Sequence, residues 1–151
     1  MKQTFALRGN LVYTKKIGTM EILEQQYLVC EDGRVQGIYP ELPQQFCGIP
    51  VEDMGDRIII PGLTDLHVHA PQYSFRGLGM DLELLDWLNT NAFPEEAKFA
   101  DLDYAQRAYS LFVEDLRRGA TTRAAVFATL HGPATRVLME LLEASGLCAF
   151  V

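Results

Sequence analysis

The chain has 151 residues, 48% of them hydrophobic and 22% charged, and carries a formal net charge of −7. This is the composition of a globular protein with a buried core, and it excludes a disordered or fibrous chain. The acidic balance also argues against a nucleic acid or an anionic membrane surface as partner, because both attract clusters of Lys and Arg.

Three cysteines, Cys30, Cys47 and Cys148, are odd in number and far apart. They read as reduced thiols of a cytoplasmic protein, not as a disulfide framework or a thiolate zinc site. The start, Met1-Lys2-Gln3-Thr4, leads into alternating residues and not into the apolar centre of a signal peptide. No apolar run approaches the ~20 residues of a membrane span. The run Leu147-Cys148-Ala149-Phe150-Val151 reads as a buried strand, whereas chain ends more often trail off in polar residues. On that ground the sequence is expected to be the N-terminal part of a longer protein.

The first sixty residues read as β. Phe5 to Tyr13 is a short strand, with Gly9-Asn10 marking a bend or turn within it. Tyr27 to Cys30 and Val35 to Tyr39 flank Glu31-Asp32-Gly33, and Asp-Gly between strand-forming runs predicts a hairpin. Pro40 to Pro50, with three prolines, is a loop, and Arg57 to Ile60 is a further strand leading into Pro61-Gly62.

From Pro61 the texture changes. Leu63 to His69 is a strand, Leu82 to Thr90 a short helix, and Pro94 ends that region. Asp101 or Asp103 caps a helix running to about Arg118, with Ala105, Ala108, Tyr109, Phe112 and Leu116 on one face. Gly119 is its stop. Thr121 to Ala128 is an apolar strand, Pro133 to Ser145 a helix with Val137, Leu138, Leu141 and Leu142 inward, and a last strand follows. The order β, α, β, α, β with apolar strands implies a parallel sheet covered by helices. Three such strands are too few to close a (β/α)₈ barrel, which takes ~250 residues. A small doubly wound sheet is the alternative.

One constellation carries chemistry: Pro61-Gly62-Leu63-Thr64-Asp65-Leu66-His67-Val68-His69. With a side-chain period of two, Asp65, His67 and His69 share one face, and two imidazoles at i and i+2 are able to bind one ion. The pair ends an apolar strand, where a parallel barrel places its active site. It also holds two of the chain's three histidines. Asp65 lies one step deeper and is read as a structural hydrogen-bonding residue. A cupin would place a glutamate shortly after the pair, where Tyr73, Ser74 and Phe75 stand. The deaminases built on His-x-Glu and Pro-Cys-x-x-Cys lack both elements here. Gly77-Leu78-Gly79 lacks the third glycine and preceding strand of a dinucleotide loop.

On these residues the sequence resembles the amidohydrolase superfamily, in which Pro-Gly-x-x-Asp-x-His-x-His follows an N-terminal β segment. It is most similar to the guanine deaminase family. His69-Ala70-Pro71-Gln72-Tyr73-Ser74-Phe75 resembles that family's His-Ala-x-Gln-Tyr-Ser-Phe. Leu84-Leu85-Asp86-Trp87-Leu88 with Phe93-Pro94-Glu95, Gly119-Ala120-Thr121-Thr122, and Phe127-Ala128-Thr129-Leu130-His131 resemble further stretches of it. Pro71 and Arg76 are minor departures.

The resemblance implies a (β/α)₈ barrel begun by residues 61–151, in its first three strands, after an N-terminal β segment at 1–60 from a small β-sandwich domain. It implies that His67 and His69 bind Zn²⁺ and that Gln72 contacts the purine, its amide offering both a donor and an acceptor. Trp87, Phe93 and His131 are candidate pocket residues. The reaction implied is hydrolysis of guanine to xanthine and ammonia, with zinc activating water. The remaining ligands, a proton-shuttling glutamate and a purine-holding arginine, would come from beyond residue 151, which leaves the isolated chain inactive, with an unpaired strand. A homodimer of the complete protein is one assembly compatible with this reading. The alternatives are another deaminase or chlorohydrolase of the superfamily, acting on adenine, cytosine or a triazine, and a non-catalytic metal-binding fragment.

Overall fold

A computed structural model describes residues 3–151; Met1 and Lys2, part of the start read above for a signal peptide, lie outside the described residues. The fold is mixed α/β with two sheets. The chain divides into two compact units that meet in sequence between Pro61 and Gly62.

In the first unit, β1 (Thr4–Lys16) and β2 (Thr19–Glu31) form a long antiparallel hairpin. β3 (Arg34–Tyr39) pairs with β2, and β4 (Val51–Ile59) runs parallel to β1, which gives the order β3-β2-β1-β4. Ala6, Leu11 and Val29 are its buried apolar side chains. Asp32 and Gly33 both adopt positive φ, 49° and 75°, the pair of left-handed residues that a tight two-residue turn between twisted strands needs. The bend read at Gly9-Asn10 is a bulge, where pairing slips between Gly9 and Leu11. Asn10 Oδ1 there accepts the backbone N–H of Gln25 at 3.1 Å.

Two strands start earlier than their local pattern suggests. β2 begins at Thr19, eight residues before Tyr27, because its largely exposed first half, Met20 and Ile22 included, is held by ladder bonds to Leu11–Lys16 and not by side-chain burial. β4 begins at Val51 although Glu52 and Asp53 are exposed. Its backbone pairs with Ala6–Arg8, and Arg8 Nη1 meets Asp53 Oδ2 at 2.9 Å.

The second unit is a three-stranded parallel sheet with helices packed on one face. β5 (Leu63–His69) passes into a 3₁₀ turn at Ala70–Phe75, then α1 (Leu84–Trp87), a π-helical turn at Leu88–Ala92 and α2 (Phe93–Ala97). Pro94 does not end the helical region as expected. It sits in the first turn of α2, where no N–H is required, and the wide turn before it relieves the clash of its ring with the preceding carbonyls. α3 (Leu102–Arg118) is capped by Asp101, whose Oδ1 accepts from the N–H groups of Asp103 at 2.9 Å and Tyr104 at 3.4 Å. β6 (Thr121–Phe127), α4 (Gly132–Ser145) and β7 (Cys148–Phe150) complete the order β5-β6-β7.

The core of this unit joins Ala105, Tyr109, Phe112 and Val113 of α3 to Ala134, Leu138 and Leu142 of α4, against Ala124 and Val126 of β6. Each large apolar side chain buried this way stabilises by roughly 1.5–3 kcal/mol. The stripe read on α3 is therefore the inward one, with Ala108 and Leu116 at its margins and Val113 added. Burial pushes the Tyr109 hydroxyl up to about 12. No described helix is long and apolar enough to cross a membrane.

Candidate metal centre

β5 ends in Asp65-Leu66-His67-Val68-His69, and its alternation is interrupted. Asp65 pairs with Ala124 and Val68 with Val126, so three steps along β5 match two along β6. The extra residue is a bulge. It puts Asp65 in register with Ala124 while His69 pairs with Phe127, and Asp65 still lines one cleft with His67 and His69. Asp65 Oδ1 accepts the backbone N–H of His67 at 3.0 Å and so closes the bulge, a structural task.

The two imidazoles converge. Their Nε2 atoms are 3.1 Å apart, and their ring centroids 5.0 Å, with a tilt of 56°. Two nitrogens each about 2.0–2.1 Å from one zinc ion in tetrahedral geometry would stand roughly 3.3 Å apart, so this spacing fits a shared ion. Among the described residues no third His, Cys, Asp or Glu joins them to make a cluster of three. The pair therefore fits two positions of a metal site, where a catalytic zinc takes about three protein ligands.

Around the pair lies a cleft of about 540 Å³ whose walls include His67, His69, Gln72, Tyr73, Arg76, Trp87 and Asp115. Gln72, carried on the 3₁₀ turn directly after β5, places its side-chain amide 3.4 Å from His69 Nδ1. The Tyr73 hydroxyl donates to Asp115 on α3, a bond that holds the phenol above its ordinary range. Arg76 lies 3.8 Å over the Tyr73 ring and donates to the Tyr73 carbonyl at 2.9 Å.

Behind the same turn, Glu95 is buried and accepts from Ser74 Oγ at 2.7 Å, Lys98 Nζ at 2.6 Å and the Tyr104 hydroxyl. Burial alone would raise its pKa. The hydrogen bonds from Lys98, Tyr104 and Ser74 outweigh it and hold the carboxyl below the usual range.

The structure sorts the remaining candidates. Trp87 lines the cleft, packs on Phe75 at 5.5 Å and donates its indole N–H to the Leu78 carbonyl at 2.9 Å. Phe93 is 56% exposed and is not in the cleft wall. His131 precedes α4 and lines a different hollow, with Phe99, Leu102 and Pro133, so it stands apart from the pair. Sequence reasoning assigned no part to Phe127, whose ring centroid is 4.7 Å from each imidazole. The available signal was its place at the end of β6, on the face opposite buried Ala124 and Val126.

The family model for amidohydrolases matches residues 58–150, which spans β5, the histidine pair and everything to β7. The chain belongs to the amidohydrolase family. It is similar to the guanine deaminase of Dictyostelium discoideum, 37% identical over 95% of this chain and 36% of that protein. The guanine deaminase of Rattus norvegicus is 35% identical over 95% of this chain and 34% of its own length. A crystal structure of the guanine deaminase from C. acetobutylicum, with guanine bound in its active site, superposes with a TM-score of 0.91 at 44% identity, over 100% of this chain and 36% of that one. The chain thus spans about a third of the length of these relatives.

Proposed function

We propose that the chain forms the first part of a zinc-dependent guanine deaminase, which hydrolyses guanine to xanthine and ammonia. The observation that carries this is the convergence of His67 and His69 at the end of β5, Nε2 to Nε2 at 3.1 Å, in a chain 44% identical to a deaminase crystallised with guanine. On this reading residues 61–151 begin a (β/α)₈ barrel, with the pair at the carboxyl end of its first strand. Residues 1–60 contribute one sheet of a small β-sandwich domain.

His67 and His69 would hold the zinc through Nε2. The chemistry such an ion supplies is Lewis acidity, enough to deprotonate water near neutral pH. With Nε2 turned to an ion, each neutral ring keeps its proton on Nδ1 and donates from there. At His69 the Gln72 amide nitrogen stands 3.4 Å from Nδ1, and the amide turned over, its nitrogen and oxygen exchanged, would present its oxygen to that donor. The amide's other end is then free to read the purine, which presents both donors and acceptors on its edge. Trp87 contributes a flat apolar wall to the same cleft. Asp65 would steady the strand beneath the pair through the backbone N–H of His67. No described residue completes the ligand set, so the 151-residue chain by itself is proposed to be inactive.

The test is an assay of the complete protein on guanine, adenine, cytosine and triazines side by side, with its zinc content measured. Xanthine and ammonia formed from guanine in preference to the other products are expected. A zinc-loaded protein that leaves guanine unchanged would refute the proposal.

A further inference from the structure

We infer that Phe127 is a positioning residue for the histidine pair: its ring holds the two imidazoles converged, and without it the pair binds a divalent cation more weakly. The inference rests on the proposed metal site. Phe127 is the β6 residue in register with His69, and parallel neighbours in register project to the same side of a sheet. Its ring is stacked on His69 at 4.7 Å with an angle of 11°, and meets His67 at the same separation with an angle of 48°. One benzene ring therefore touches both imidazoles.

The rings need such a holder. An imidazole has two soft side-chain torsions, and those of His67 and His69 must be set together if both Nε2 atoms are to face one point. His69 has the Gln72 amide against its outer nitrogen. For His67, among the described residues, the only side-chain contact of that kind is His69 itself. Its remaining ring contact is Phe127. Rotating either imidazole away slides it off the phenyl face and exposes apolar surface, so packing selects the converged arrangement before any ion arrives. A phenyl ring neither ligates metal nor hydrogen-bonds, so it restrains the pair without competing for the ion.

Packing of the core does not account for this side chain. The β6 residues that face the helices are Ala124 and Val126, whereas Phe127 is 48% exposed and lies outside the core cluster. Its contacts with the imidazoles are what distinguish it.

The experiment measures zinc affinity of the complete protein by chelator competition, in the parent and in Phe127→Leu, Phe127→Tyr and His67→Ala, with the thermal midpoint of each metal-free form. Phe127→Leu keeps the apolar bulk and loses the flat ring; it is expected to weaken zinc binding roughly 10-fold or more, the size of effect seen when supporting groups around a ligand are removed. Phe127→Tyr is expected to retain the parent affinity, and both metal-free variants the parent midpoint. Unchanged affinity in Phe127→Leu overturns the inference, as does equal weakening in Phe127→Tyr or a loss of affinity matched by unfolding of the metal-free protein. Unchanged affinity in His67→Ala removes the metal pair itself, and the inference with it, which separates that failure from the others.

Discussion

The Ser74 hydroxyl donates to Glu95 Oε1 at 2.7 Å, and through this bond the turn that carries Gln72 is tied to α2. The same carboxylate accepts from Tyr104 on α3 and from Lys98. A buried charge with three donors is a fixed point, and the turn after β5 hangs from it. Removing a hydrogen bond to a charged group costs about 1.5–3 kcal/mol. Ser74→Ala is therefore expected to lower the unfolding free energy by about 2 kcal/mol in urea and, if the complete protein is the guanine deaminase proposed above, to raise its KM for guanine more than it lowers kcat, because Gln72 loses its support. An unchanged KM would show that the turn holds its shape without Ser74.

Glu95 also makes stability depend on pH. Its carboxyl is held below the usual range in the folded chain, so the folded state favours the ionised form. Stability from this group is fully present above the unfolded-chain value of about 4.3. It is lost as the pH falls through the folded value, where the proton binds and the three bonds weaken. Melting curves between pH 6 and pH 3 are expected to show a drop in thermal midpoint that is smaller in Glu95→Gln. Parallel curves for the two proteins would show that another group is responsible.

Gln72 has two neighbours to serve, the outer nitrogen of His69 and, on the proposed reading, the purine. Gln72→Ala removes one or two hydrogen bonds of about 1 kcal/mol each to a bound ligand. KM for guanine is expected to rise roughly 10-fold at saturating zinc, with the metal still bound stoichiometrically. Loss of zinc at an unchanged KM would instead make Gln72 a support of the metal pair alone.

Gly62 is a glycine because Thr122 is in the way. A Cβ built at Gly62 would overlap the Thr122 side chain, down to its own Cβ at 2.8 Å. The close approach lies where β5 and β6 begin, next to the pairing of Leu63 with Thr121. Gly62→Ala is expected to destabilise by about 1–3 kcal/mol, the usual result of overpacking. Thr122→Ala in the same protein removes the hydroxyl and methyl from the overlap and should recover part of that loss, measured as a double-mutant cycle. Additive losses would sink the steric explanation.

Much of the fold was legible because the relevant signals are local. The Asp32-Gly33 turn, the capped α3 with its apolar stripe, the apolar strands of the second unit and the His-x-His step at the end of one of them are each written in a few successive residues. Their physics is equally local: backbone φ preferences, helix-end hydrogen bonds and the periods of side-chain direction. Where pairing across strands mattered, the reading fell short. The first half of β2 and the start of β4 are largely exposed, and only their ladders with β1 make them strands. Pro94, a helix breaker in isolation, is accommodated by a π-helical turn.

The amino-acid sequence by itself determined which side chains are able to do chemistry: two imidazoles two residues apart and an amide three residues on. Tertiary structure decided which of them meet. In-register pairing of β5 with β6 sets Phe127, opposite His69, against both rings, and docking of α2 brings Glu95 under Ser74 across 21 positions of sequence. Register and docking are settled by the summed fit of whole elements, and no single stretch of chain carries that sum.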